Sequence, residues 1–166
     1  ELLCSTPVVT NGLAAALCLT LIAAITSWAL TSLFSGRGAF IHFGAMIGTI
    51  MAGNVFRVII PSQRALVTAI EAGTELNPAW GAKAKLRSTH NNYFTLPLLF
   101  IMISNHYPMT YAHEHNWLVL LALVVISAFA RHFFNLRHRG VLRPSILVTA
   151  AFATCLLYTS PSPRDR

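Results

Sequence analysis

The stretch Trp117–Phe134, WLVLLALVVISAFARHFF, decides the fold: Ser127 is its only polar aliphatic side chain before Arg131 and His132. A soluble domain has little use for so unbroken an apolar run, whereas a helix crossing a bilayer needs ~20 such residues. Working outward from it, four more runs of this kind occur, at 8–34, 39–60, 88–106 and 141–158. None keeps the alternation of a barrel strand, and each is longer than such a strand requires. The expectation is an all-α fold, a polytopic membrane helix bundle with five transmembrane helices over residues 1–158. The run 88–106 is the most polar and carries Pro97 at its middle, so it should be kinked.

Composition points the same way. Of 166 residues, 55% are hydrophobic and only 10% are charged, where a soluble domain carries about 25% charged residues. Mean hydropathy is +0.60. A soluble enzyme is excluded. So is a disulfide framework, because Cys4, Cys18 and Cys155 are few, unspaced and mostly within apolar runs, where they read as small buried hydrophobes.

The formal net charge of +7 raises the question of nucleic acid, and the placement of the charges answers it. Nine of the twelve basic residues surround two connections: Arg57, Arg64, Lys83, Lys85 and Arg87 at one, and Arg131, Arg137, Arg139 and Arg143 at the other. The positive-inside rule puts connections 61–87 and 135–140 in the cytoplasm and the remaining two outside. The basic excess is thus a topology signal, and no nucleic-acid partner is expected. Within the long connection, Ser62–Ala72 would set Leu66, Ala69 and Ile70 on one helical face, lying on the membrane surface or forming a solvated loop. The chain opens on Glu1 and closes on SPSPRDR, and is expected to be an internal fragment with a disordered or foreign tail over 159–166.

Polar groups in lipid are costly and face the bundle interior, so function is sought among them. Of the seven histidines, four fall in or at the ends of the runs: His42, His90, His106 and His132. The topology sets His42 and His106 near the outer face and His90 and His132 near the inner one. Two histidines at one depth on neighbouring helices can ligate a haem b axially; interfacial hydrogen bonding is the other reading of helix-end histidines. Gly44, Gly48 and Ala52 have the small-xxx-small spacing of close helix packing, accompanied by His42, Thr49, Asn54 and Arg57. Arg57 either lines a site or snorkels to the surface. Asn91 and Asn92 open the third run; an amide donates and accepts at once, which suits either a planar heterocycle or a neighbouring helix. His113-Glu114-His115 is too thin a pattern for zinc, and no metal site is expected.

Three motifs in order, FSGRGAFIHFGAMIGTIMAGNVFRVIIPSQR (34–64), STHNNYFTLPLLFIMISNHYPMTY (88–111) and RHFFNLRHRG (131–140), closely resemble the membrane domain of the cytochrome c-linked urate oxidases, or urate hydroxylases. The likeness covers roughly Gly12 to Leu157. It implies a multi-pass domain of the bacterial inner membrane, followed by a haem c domain on the outside. It further implies oxidation of urate to 5-hydroxyisourate, with electrons passed to the c-type cytochrome and the respiratory chain beyond it. An electron path toward the outside favours His42, Asn105, His106 and Tyr107 as catalytic candidates, with His42 or His106 as base or haem ligand. Asn91, Asn92 and Arg57 are candidate urate-binding residues, and His90 and His132 the inner haem candidates. The alternative is a non-catalytic membrane unit, either permease-like or a haem-bearing anchor for an electron-transfer partner.

Overall fold

The computed structural model describes residues 11–159, and every regular element within them is helical. Cys4, the start of the first apolar run and the tail 160–166 lie outside the described residues. In chain order the helices are α1 (Gly12–Leu33), α2 (Gly36–Asn54), α3 (Ile60–Glu71), α4 (Pro78–Ser104), α5 (Pro108–Tyr111), α6 (Asn116–His138) and α7 (Ser145–Thr159).

Local chemistry sets most of these boundaries. Asn11 and Asn77 cap α1 and α4, their side-chain oxygens accepting from Leu13 and Ala79 backbone N–H groups at 3.1 and 3.0 Å. Gly73 and Gly140 end α3 and α6 at φ of +63° and +79°. Each closes a paired cap. The Thr74 and Gly73 amides reach back to Ala69 and Ile70 carbonyls, and the Val141 and Gly140 amides to Leu136 and Arg137. Only glycine adopts this left-handed turn without strain.

The break expected after Ile60 does not occur. A π-helical turn, Val55–Ile59, joins α2 to α3 without interruption, and the Ile60 amide bonds to the Val55 carbonyl. Pro61 has no N–H to donate and its ring crowds the preceding turn, so a locally widened turn lets the helix pass it. α4 likewise starts ten residues before the expected 88 and runs on through the buried Pro97. Connection 61–87 is therefore a helical hairpin, α3 packed on the first half of α4, with 72–77 as its tip. α3 buries Ser62 and Ala69, while Ile70 is exposed rather than sharing their face.

α1, the continuous unit Gly36–Glu71, and α6 are long and apolar enough to cross a membrane. α4 falls short on composition because Lys83, Lys85, Arg87, His90, Asn91 and Asn92 occupy its first half. α7 is apolar but spans 15 residues. α6 is central, touching α1, α4, α5 and α7, while α4 also lies against α2. Helical spacing brings Phe40, Phe43 and Ile47 of α2 against Ile101 of α4 and Leu120 and Leu123 of α6, forming the core.

The expected glycine seam of α2 is realised in part. A Cβ on Gly44 would stand 2.7 Å from Met102 Sδ, so α2 and α4 do approach closely there, whereas Gly48 faces open space. The tightest approach is at Gly36, where a Cβ would collide with the Tyr111 carbonyl oxygen.

Candidate functional site

Asn91, Asn92 and Tyr93 are consecutive on α4, so their side chains leave the helix about 100° apart. One therefore serves α2 and two serve α6. Asn91 donates to the Met51 carbonyl at 2.9 Å and accepts from Asn54 Nδ2 at 2.8 Å, tying α4 to α2. On the other side, Asn92 donates to Asn135 Oδ1 at 3.3 Å and accepts from the Arg131 guanidinium. Tyr93 and His132 share a 2.7 Å hydrogen bond between the phenol oxygen and Nδ1, their rings stacked at 6.0 Å. Arg131 and Asn135 stand one turn apart on α6 and so face the same way, with the Arg131 guanidinium over the Phe134 ring at 5.9 Å.

This polar cluster between α2, α4 and α6 is not self-sufficient. Arg131 Nε and Asn135 Nδ2 are buried and have no hydrogen-bond partner. Unsatisfied buried donors are costly and mark places where a further acceptor belongs.

The outer candidates are arranged differently. His42 is exposed; its Nδ1 lies 2.7 Å from the Gly38 carbonyl and its ring stacks on Phe34 at 4.2 Å. Asn105 is buried behind the end of α4, donating weakly to Ile101 and Met102 carbonyls at 3.5 and 3.4 Å, with Oδ1 unpartnered. His106 and Tyr107 follow it on the exposed corner before α5. No hydrogen bond or ring contact among the described residues joins His42 to His106. Arg57 is exposed on the π turn, outside the cluster, and His90 sits half-buried immediately before Asn91 on α4. Of the sequence candidates, the structure thus gathers Asn91, Asn92 and His132 and leaves His42, Asn105, His106, Tyr107 and Arg57 apart.

Asn54, Tyr93, Arg131 and Asn135 complete the cluster. Arg131 reads in the sequence as a topology charge. Its separate signal is position: it lies seven residues before the end of α6, on a helix with no aspartate or glutamate.

A haem between histidines would need a slot with both rings turned into it. Tyr93 on His132 and Asn92 on Asn135 bridge α4 and α6 directly, so the two helices stand too close there to admit a porphyrin between them. A cleft of about 210 Å³ lies between α4, α6 and α7, but its wall is Phe100, Leu123, Ile126, Leu147 and their apolar neighbours, with no histidine. The haem-ligand geometry does not fit the described residues. No group of three or more metal-ligating side chains gathers among them, and His113 spends its Nδ1 on the His115 amide at 3.0 Å.

No curated protein and no solved structure matches the chain significantly. The model of one protein family, urate oxidase N-terminal, matches residues 1–161, nearly the whole sequence. With its three motifs and its helical architecture under that match, the chain belongs to the urate oxidase N-terminal family.

Proposed function

We propose that this chain is the membrane part of a urate oxidase of the bacterial inner membrane, and that the Asn91–Asn92–Tyr93 cluster is where urate is held. The reaction adds water to urate, giving 5-hydroxyisourate, two protons and two electrons, the electrons leaving to a c-type cytochrome. Family membership supports the substrate. The observation that carries the site is the convergence of amide, phenol, imidazole and guanidinium groups from α4 and α6, with the Arg131 Nε and Asn135 Nδ2 donors unsatisfied.

Three demands follow from the chemistry, and the cluster meets each with its own side chains. Amides at Asn92 and Asn135 can pair with the alternating carbonyl and N–H edges of an oxopurine. The Arg131 charge favours an anionic ligand. His132, held by its hydrogen bond to Tyr93, offers an imidazole that can take up a proton released as water adds. All five apolar helices lie across the bilayer in this reading, with α4 entering at the cluster.

The test is urate-dependent reduction of cytochrome c by the full-length protein without oxygen. Replacing His132 by Gln is expected to lower the rate by about two to four orders of magnitude, the usual span for a lost acid–base group. His42→Gln and His106→Gln should leave it within a few-fold. The reverse pattern would move the site to the opposite end of the bundle.

A further inference from the structure

Arg131 is the one charged residue of α6 that lies well inside the helix, ~10 Å of helical rise from the last residue, His138. Neither α6 nor α1, α4, α5 and α7, which pack against it, carries an aspartate or glutamate, so no carboxylate on them neutralises it. Its Asn92 and Phe134 contacts orient the guanidinium without balancing its charge. Nε remains buried and unpartnered, and Asn135 Nδ2, one turn along the same face, is in the same condition. The outer end of the guanidinium meets the exposed Asn92, while Nε stays buried on the α6 side. Two buried donors without partners, side by side on one helix face and one of them part of a cation, are costly until an acceptor that serves both completes them.

We propose that Arg131 and Asn135 are the anion-recognition pair of this protein: Arg131 Nε–H and Asn135 Nδ2–H together hold one anionic oxygen of a soluble planar ligand. The assignment rests on the cluster being the urate site, and it makes the ligand's charged edge point at α6 with its amide edges toward α4. Asn92 is a positioning residue. It accepts from Arg131 and donates to Asn135, fixing the two donors relative to each other.

The experiment follows thermal unfolding of the full-length protein in an uncharged detergent at constant ionic strength, with urate, acetate or added phosphatidylglycerol as probes. Ligands that bind only the folded state raise Tm in proportion to their affinity. Urate, and acetate at higher concentration, should raise the Tm of the parent protein. Arg131→Gln should weaken the apparent urate affinity by about 10- to 100-fold, the range of a lost charge-assisted hydrogen bond. Asn135→Asp keeps the side-chain size and the Asn92 contact while giving Arg131 its own carboxylate, so it should fold, unfold at a higher temperature, and lose the response to both anions.

Equal urate shifts in the parent and both variants would overturn the pair and leave the proposed function standing. An Arg131-dependent acetate shift with no response to urate would support the pair and overturn urate as ligand. Protection by phosphatidylglycerol alone assigns the arginine to a lipid phosphate and overturns the soluble ligand, as does the absence of any shift.

Discussion

Asn91 shows how much one side chain can join: through its amide it receives Asn54 and reaches the Met51 carbonyl, so both of its hydrogen-bonding groups serve α2. Interhelical polar contacts in membrane proteins contribute about 0.6 kcal/mol on average and up to ~1.7. Asn91 makes two. Asn91→Ala should therefore cost about 1–2 kcal/mol in a denaturing-detergent titration. Asn54→Ala added to it should cost almost nothing more, because its partner has already gone; additive losses would mean that the two amides do not interact. The sequence marks Asn91 and Asn92 as unusual, since amides in an apolar run demand partners. It does not say which helix each serves, because consecutive residues point to different neighbours. Tyr93, Arg131 and Asn135 escape notice for a related reason. A tyrosine and an arginine near a helix end have ready interfacial explanations, and only the fold shows that they meet across α4 and α6.

Elements were legible where apolar periodicity and caps agree, as in α6, whose expected extent 117–134 differs from Asn116–His138 mainly at the basic end. That end, with Arg137 and His138 in the last turn, is favoured by the helix dipole, so the helix continues past the apolar run. Apolar runs mark what lipid or core requires of a helix, not where its hydrogen bonds stop. The same reasoning explains α2–α3 and α4, which extend into polar sequence because Pro61 is absorbed by the π turn and Asn77 caps early. Glycine spacing was a poorer guide, since identical residues on α2 meet different surroundings. Gly36→Ala would drive a methyl into the Tyr111 carbonyl, a backbone group that cannot swing aside, and should lower stability by several kcal/mol or prevent folding. Gly48→Ala, in open space, should instead be neutral or stabilise by about 0.4–1 kcal/mol through helix propensity. Equal Tm changes for the two would contradict the α2–α5 approach.

At the scale of the whole molecule, the two ends of the bundle differ in charge and in construction. One holds α5, the loop 112–115 and the α1–α2 corner, with Arg37 as its lone basic residue among lysines and arginines; the other holds the α3–α4 hairpin and the 139–144 connection, where the basic residues gather. The cluster of Asn92 and Arg131 lies in the basic half, so the side on which that half faces also fixes the side nearer to the proposed anion site. The positive-inside rule puts it at the cytoplasm. Single cysteines test this, introduced at Thr74 on the hairpin tip or at Ala112 beside α5 in a background with Cys4, Cys18 and Cys155 replaced by serine. In intact cells a membrane-impermeant maleimide should label Ala112→Cys and spare Thr74→Cys until the membrane is permeabilised. Labelling of Thr74→Cys from outside would invert the molecule. It would also bring the Arg131–Asn135 pair to the face on which the proposed c-type cytochrome would approach, shortening the electron path of that proposal.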